Sequence, residues 1–308
     1  MIEYNRYSWW KNTFSWRGTA FRMAGRRILI FIVYAVLVQA AYEGALDFGL
    51  FSDEHFLKLD PAAHTLLGSL VGFLIVFRMN ASNARYWEGR SHWGMIINSS
   101  RNLVRVGCAH TRDGEQLADL VTGYVISLRR SLQGQRDMLE ADIHLPEQLC
   151  REAIRFGNIP TAVTAAISEW IVDHSRTGDL TPQMVRHMEE LLCRLVDSQG
   201  GCEKIQKTPM PFAYVVMLKQ IIVAYLLTMP LVLCERCGWW TPLLVGIAAL
   251  GLLGMEEASV EIEDPFGTDE NCLNLEALTL TIARDTGQLA DRAARRASGS
   301  TSTTWSAT

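Results

Sequence analysis

The sequence predicts an all-α, polytopic membrane protein, with four transmembrane helices paired as two hairpins around a cytosolic helical domain. Three observations carry that prediction. The 308 residues are only mildly apolar on average, with 49% hydrophobic and 20% charged residues, yet the apolar ones are gathered in blocks of spanning length. Between the blocks, hydrophobic residues recur at the helical period. Basic residues collect at one end of the first three blocks, the pattern of a cytoplasmic membrane face.

Residues 1–27 form a cytosolic, interfacial segment. Trp9, Trp10 and Trp16 are interleaved with Lys11, Arg17 and Arg22, which suits a helix at a membrane surface and equally an amphipathic helix packed on its own protein. The first 25 residues lack a short apolar core with a small-residue cleavage site, so no cleavable signal peptide is expected.

Residues 28–77 supply the first hairpin. The run 28–48 spans a bilayer at ~1.5 Å per residue, with Glu43 and Asp47 at its far end. An acidic loop with Asp53, Glu54 and Asp60 follows and closes at Pro61. The second helix, from Ala62 to Phe77, has no formal charge with His64 neutral and then meets Arg78, Arg85 and Arg90. Ser69, Phe73 and Phe77 lie at i, i+4 and i+8 and make one stripe, while Gly68 and Gly72 make a small-xxx-small row beside it. The phenylalanines either face lipid or line a narrow pore, with the glycines packing the helix on its symmetry mates. Composition leaves both readings open.

Residues 78–211 carry 16 Lys/Arg and 16 Asp/Glu and no apolar run of spanning length, as expected of a water-facing domain. Amphipathic helices are predicted at about 95–135, 146–156, 160–176 and 181–206. Leu117, Leu120, Val121, Tyr124, Val125 and Leu128 keep the helical period and should face a core. Pro146, Pro160 and Pro182 stand near helix starts, where the missing N–H costs little.

Residues 212–255 form the second hairpin. The span 212–233 contains Lys219, expected to snorkel to the interface, and Gln220. The span 239–255 opens with Trp239 and Trp240 and carries Gly246, Ala249, Gly251 and Gly254 for close helix contacts. Cys234 and Cys237 at the outer end are read as either a disulfide or two free thiols. Residues 256–289 are an acidic turn and a cytosolic helix. Residues 290–308, rich in Ser, Thr and Arg, are expected to be disordered.

Arg17, Arg22, Arg26 and Arg27 precede the first span, Arg78, Arg85 and Arg90 follow the second, and Lys204 and Lys207 precede the third. Only Lys58 and Arg236 stand opposite. Both termini should therefore be cytoplasmic. A net charge of −4 offers no basic surface, so nucleic acid is not an expected partner. Gly-rich phosphate loops, HExxH and nucleophile elbows are missing, which argues against an enzyme.

Three separated motifs carry a family likeness: Arg85-Tyr-Trp-Glu-Gly-Arg90, Thr208-Pro-Met-Pro-Phe-Ala-Tyr214 and Glu263-Asp-Pro-Phe-Gly267. In order and spacing the chain resembles the bestrophins, over roughly residues 5 to 285, and looks like a bacterial-type member. The resemblance implies a homopentameric ion channel of the inner membrane, surrounded by lipid. Aligned by the shared arginine, the family's hydrophobic neck falls on Ser69, Phe73 and Phe77. Ser69 replaces the usual bulky residue, so the outer ring should be wider and wetter. A second, cytosolic aperture falls on Gln183 or Met184. In calcium-gated animal relatives a cation clasp would map to Asp269 and Cys272, with backbone oxygens near Glu261 and Asp264. A thiol is a poor calcium ligand, so no cofactor is expected and chelation should leave conductance unchanged. The permeant ion is read as chloride or another small anion. Sodium or potassium is the alternative, favoured if Asp47, Asp53, Glu54 and Asp60 face the axis. A membrane-anchored sensor or scaffold without conductance is the remaining alternative.

Overall fold

The computed structural model describes residues 5, 7–15, 18–48 and 60–299. Among them the ordered elements are α1 (Trp9–Thr13), α2 (Ala20–Asp47), α3 (Pro61–His110), α4 (Gly114–Leu132), α5 (Glu147–Ala153), α6 (Ile159–Arg176), α7 (Pro182–Lys207), α8 (Phe212–Cys237), α9 (Thr241–Glu263) and α10 (Leu275–Gly299). A single 3-10 turn, Gly238–Trp240, joins α8 to α9. Gly238 has φ +52° there, a left-handed conformation that glycine adopts without steric penalty. The described residues contain no strand, which agrees with the all-α expectation.

Three helical stretches are long and apolar enough to cross a membrane: Arg22–Asp47, Pro61–His110 and Phe212–Glu263. The last combines α8, the 3-10 turn and α9, the two helices of the expected second hairpin.

Two boundaries differ from expectation. The second span is not a short helix followed by a separate one at 95–135: α3 runs unbroken for 50 residues, and the break falls instead at 111–113. Nothing between Phe77 and His110 is a helix breaker, for that interval contains no proline and its glycines stand singly. Asp113 then precedes Gly114 at the start of α4, a turn-like pair that resets the chain. At the other end, α10 continues to Gly299, past Ala290 where disorder was expected to begin. Its apolar face, with Ile282 and Ala290 buried, extends the periodic pattern to the start of the region whose composition alone looked tail-like. Residues 300–308 lie outside the described set, as do Trp16, Arg17, Asp53, Glu54 and Lys58.

Packing divides the chain into two units. The first comprises residues 1–86, 209–265 and 269–272; the second comprises 87–208, 266–268 and 273–308. The first unit thus extends to residue 86, within α3, and takes up the chain again at 209, in the loop before α8. In the first unit, α2, the leading part of α3, α8 and α9 share a core of Ala24, Ile28, Val71, Ile75, Leu218, Ile222, Leu226, Ala249 and Leu253. Much of their remaining surface is large and apolar, with Leu29, Ile30, Leu37, Leu66 and Ile247 all exposed. Cys234 and Cys237 are free thiols in the last turn of α8, and Cys234 donates to its own helix at Leu231 O.

The second unit buries its apolar residues in the ordinary way. Leu117, Leu120, Val121, Tyr124, Val125 and Leu128 of α4 are all buried, as their period predicts. Tyr124 donates its hydroxyl to Leu195 O on α7 at 3.2 Å. Asn158 caps α6 by accepting from Thr161 N, and Thr181 caps α7 by accepting from Met184 N. Pro160 and Pro182 sit in the first turns of those helices, and Pro146 is the N-cap of α5.

Candidate functional site

Leading from Pro61, α3 presents two opposite faces. Val71, Ile75, Arg78 and Ser82 are buried, at i, i+4, i+7 and i+11, so they form one inward stripe. On the other side Ser69, Phe73 and Phe77 are exposed, with Phe73 61% and Phe77 50% accessible. The two rings meet edge to face, centroids 4.6 Å apart. Such a pair is stiffer than two independent side chains and holds a definite profile one turn long. Ser69 spends its hydroxyl on its own helix, donating to Thr65 O at 3.0 Å.

Gly68 and Gly72 have different surroundings. A Cβ on Gly68 would stand 2.8 Å from the Tyr225 hydroxyl of α8, so this glycine admits a neighbouring helix of the same chain. Gly72 has open space around it. His64, a turn earlier, stacks on the Tyr225 ring at 4.4 Å, which further ties α3 to α8.

Just below the aromatic pair the inward stripe becomes polar. Arg78, 1% exposed, donates to Glu263 Oε2 at 2.6 Å and lies against Met210 Sδ. Glu263 Oε1 accepts from Met210 N at 2.8 Å, and the Glu263 carbonyl accepts from Arg85 Nε at 3.2 Å. The last residue of α9 therefore grips α3 at two positions two turns apart and also holds the entry to α8. Arg85, Met210 and Glu263 come one from each of the three motifs singled out in the sequence, and Arg78 lies two turns before the first of them. Their convergence was missed in the sequence, although a signal existed: continuing the Val71–Ile75 stripe by three residues lands on Arg78, which places a cation on the buried face.

A second polar cluster lies at the start of α2. Buried Glu256 has Lys219 Nζ at 3.4 Å and Arg27 at 3.9 Å, and Arg27 donates to Glu257 at 2.5 Å. Lys219 thus reaches a carboxylate on α9 rather than only an interface.

The acidic turn does not gather as a cation site. Glu261 is buried and accepts from Asn271 Nδ2 at 2.8 Å, which also donates to Gly18 O. Cys272 is buried and donates its thiol to Asp264 O at 3.2 Å, while its own N–H bonds Asp269 O. Burial pushes that thiol up to about 11, aided by the charges of Asp269, Asp264 and Glu261 and opposed by the backbone bond at Asp269. A neutral thiol therefore occupies the carbonyl that a calcium ion would need, and the residues do not fit that ion. No group of three metal-ligating side chains occurs among the described residues. In the second unit, Gln183 is exposed and Met184 half-buried, in the first turn of α7.

Apolar helices of spanning length, an exposed aromatic stripe on one of them and a buried ion pair beneath it define a helical membrane protein with a candidate conduction surface. Comparison with known proteins narrows this. The family model for bacterial/fungal bestrophin protein matches residues 1–288, and the chain belongs to that family. A voltage-dependent anion channel-forming protein of Nostoc sp. is 31% identical over 294 residues, covering 91% of each chain. One from Ralstonia nicotianae is 29% identical, covering 96% of this chain and 99% of its own. The crystal structure of a bacterial bestrophin homologue from Klebsiella pneumoniae superposes with a TM-score of 0.79 at 25% identity, over 86% of this chain and 97% of that one.

Proposed function

We propose that this chain is a bestrophin-type ion channel that conducts passively as a homopentamer, its neck formed by five copies of Ser69, Phe73 and Phe77 around the axis. The observation that carries the reading is the exposed, edge-to-face Phe73–Phe77 pair, set opposite the anchored face of α3. Aromatic rings at that height make a constriction that sheds water when narrow and passes ions when it dilates. Ser69, one turn outward, makes the outer ring small and polar. Ions leave past Gln183 and Met184 at the start of α7, where α7 offers an exposed amide beside a half-buried thioether. The names of the relatives support anions as the permeant species, and we take chloride as the first of them. Membership of the bacterial family supports a plasma-membrane location with both termini cytoplasmic, in line with the arginines flanking the spans.

Reconstitution into liposomes tests this. Purified protein should show anion flux, with a reversal potential following the chloride gradient, and Phe73→Ala and Phe77→Ala should each enlarge it severalfold by removing a collar. Chelators should leave the flux unchanged. A bilayer that stays silent under voltage sinks the channel reading, and reversal at the sodium or potassium potential overturns the selectivity.

A further inference from the structure

The anchored and exposed faces of α3 are geometrically linked. At about 100° per residue, Val71, Ile75 and Arg78 fall within one narrow sector, and Ser69, Phe73 and Phe77 centre on the opposite side. Whatever fixes the first sector fixes the direction of the second. Val71 and Ile75 pack in an apolar core, and apolar contact is non-directional, so those residues resist separation better than rotation. Arg78 is different, because its guanidinium is held at two points, one nitrogen on the Glu263 carboxylate and another against the Met210 sulfur, which gives it a preferred orientation.

We propose that Glu263 is the positioning residue for the neck: through Arg78 and Arg85 it sets the rotation of α3 and so aims Phe77 at the conduction path. Three observations converge on it. Arg78 directly follows Phe77 and is almost fully buried against Glu263 Oε2. Arg85, on the same face two turns later, donates to the Glu263 carbonyl, so the grip is taken at two heights and resists tilt as well as roll. Glu263 Oε1 meanwhile accepts from Met210 N, which ties the carboxylate to the entry of α8 and leaves it little freedom of its own. Ser82 Oγ reaches the same Met210 sulfur at 3.9 Å, which closes the contact from the α3 side. The cluster acts through the orientation of Phe77. The proposal rests on the channel reading above for its consequence in flux, while the orientation itself is a separate, measurable property.

The test is a double-mutant cycle on the purified, reconstituted oligomer, using Glu263→Gln, Phe77→Ala and both together. Glu263→Gln keeps the shape and removes the charge. It should raise flux about threefold or more as the ring loses its fixed aim, whereas the double variant should conduct like Phe77→Ala alone, a non-additive result. Arg78→Lys, which keeps the charge but not the fork, should show the same pattern more weakly and serves if Glu263→Gln fails to assemble. An unchanged flux in Glu263→Gln, or effects that simply multiply with Phe77→Ala, overturns the positioning role. A readout independent of conduction is the labelling rate of Phe77→Cys by a charged thiol reagent, measured on the peptide that contains position 77. Adding Glu263→Gln should change that rate at least threefold, and an equal rate overturns the proposal even in a protein that conducts nothing. Silence of the unmodified protein, by contrast, removes the channel reading and leaves the labelling result to judge the positioning.

Discussion

The two packing units solve the same problem in opposite ways. In the second unit, large apolar side chains such as Trp93, Leu103, Leu128, Ile167 and Leu195 are fully buried, and many charges form exposed pairs such as Arg151–Glu147 and Arg186–Glu190, although Arg129 and Arg130 are buried with Glu140 and Asp137 as partners. In the first unit, Leu29, Ile30, Leu37 and Ile247 are exposed while Arg78, Glu256 and Glu261 are buried. The difference is that of two solvents. Where water surrounds the protein, burial of apolar area drives packing. Where hydrocarbon surrounds the helices, apolar residues gain nothing by turning inward, and close packing and internal polar bonds carry more of the specificity. The first unit accordingly joins its helices through Gly68 against Tyr225 and Glu263 against Arg78.

That contrast can be broken by experiment. The largest effect should come from the water-type core: Trp93→Ala removes a fully buried indole and should cost about 3–5 kcal/mol, read as a fall in thermal stability of the detergent-purified protein. Arg78→Met should come close behind, at about 3 kcal/mol, because it strands Glu263 beside a buried apolar group; a neutral result would mean that the carboxylate finds another partner. A smaller effect should appear in acid at Arg101–Asp285 in the second unit. Burial alone would raise the Asp285 carboxyl, but hydrogen bonds from Arg101 and Arg284 outweigh it and hold the group below the ordinary range. Its folded value being depressed, the contribution is fully present above about pH 4 and is lost as pH falls through the folded value. The stability difference between the unmodified protein and Asp285→Asn should therefore shrink progressively below pH 4, and a constant difference would count against the pair. The smallest effect should be that of Leu37→Ala, within about 0.5 kcal/mol, since that side chain is exposed in the structure. A loss as large as that of Trp93→Ala would place Leu37 in a protein interface.

Much of the candidate site was legible before any coordinates. The stripe of Ser69, Phe73 and Phe77 follows from the helical period alone, and the structure places all three on one exposed face. The core positions of α4 were legible for the same reason: period, polarity and proline placement are local properties. Helix continuity was less legible. The 50-residue α3 carries charged residues along its later turns, so composition suggested a domain boundary where the backbone has none. The extent of α10 was misjudged likewise, because a Ser- and Arg-rich composition does not by itself stop a helix.

From the sequence alone came the helical class, the apolar spans, the family likeness and the aromatic stripe, since each depends on residues near one another along the chain. Tertiary structure decided which of the scattered charges meet. Arg78, Met210 and Glu263 are separated by more than a hundred residues at the widest, and nothing local distinguishes Glu263 from the other acids of its turn. Only packing of α3, α8 and α9 brings that one carboxylate against a buried guanidinium, where leaving either unpaired would be costly.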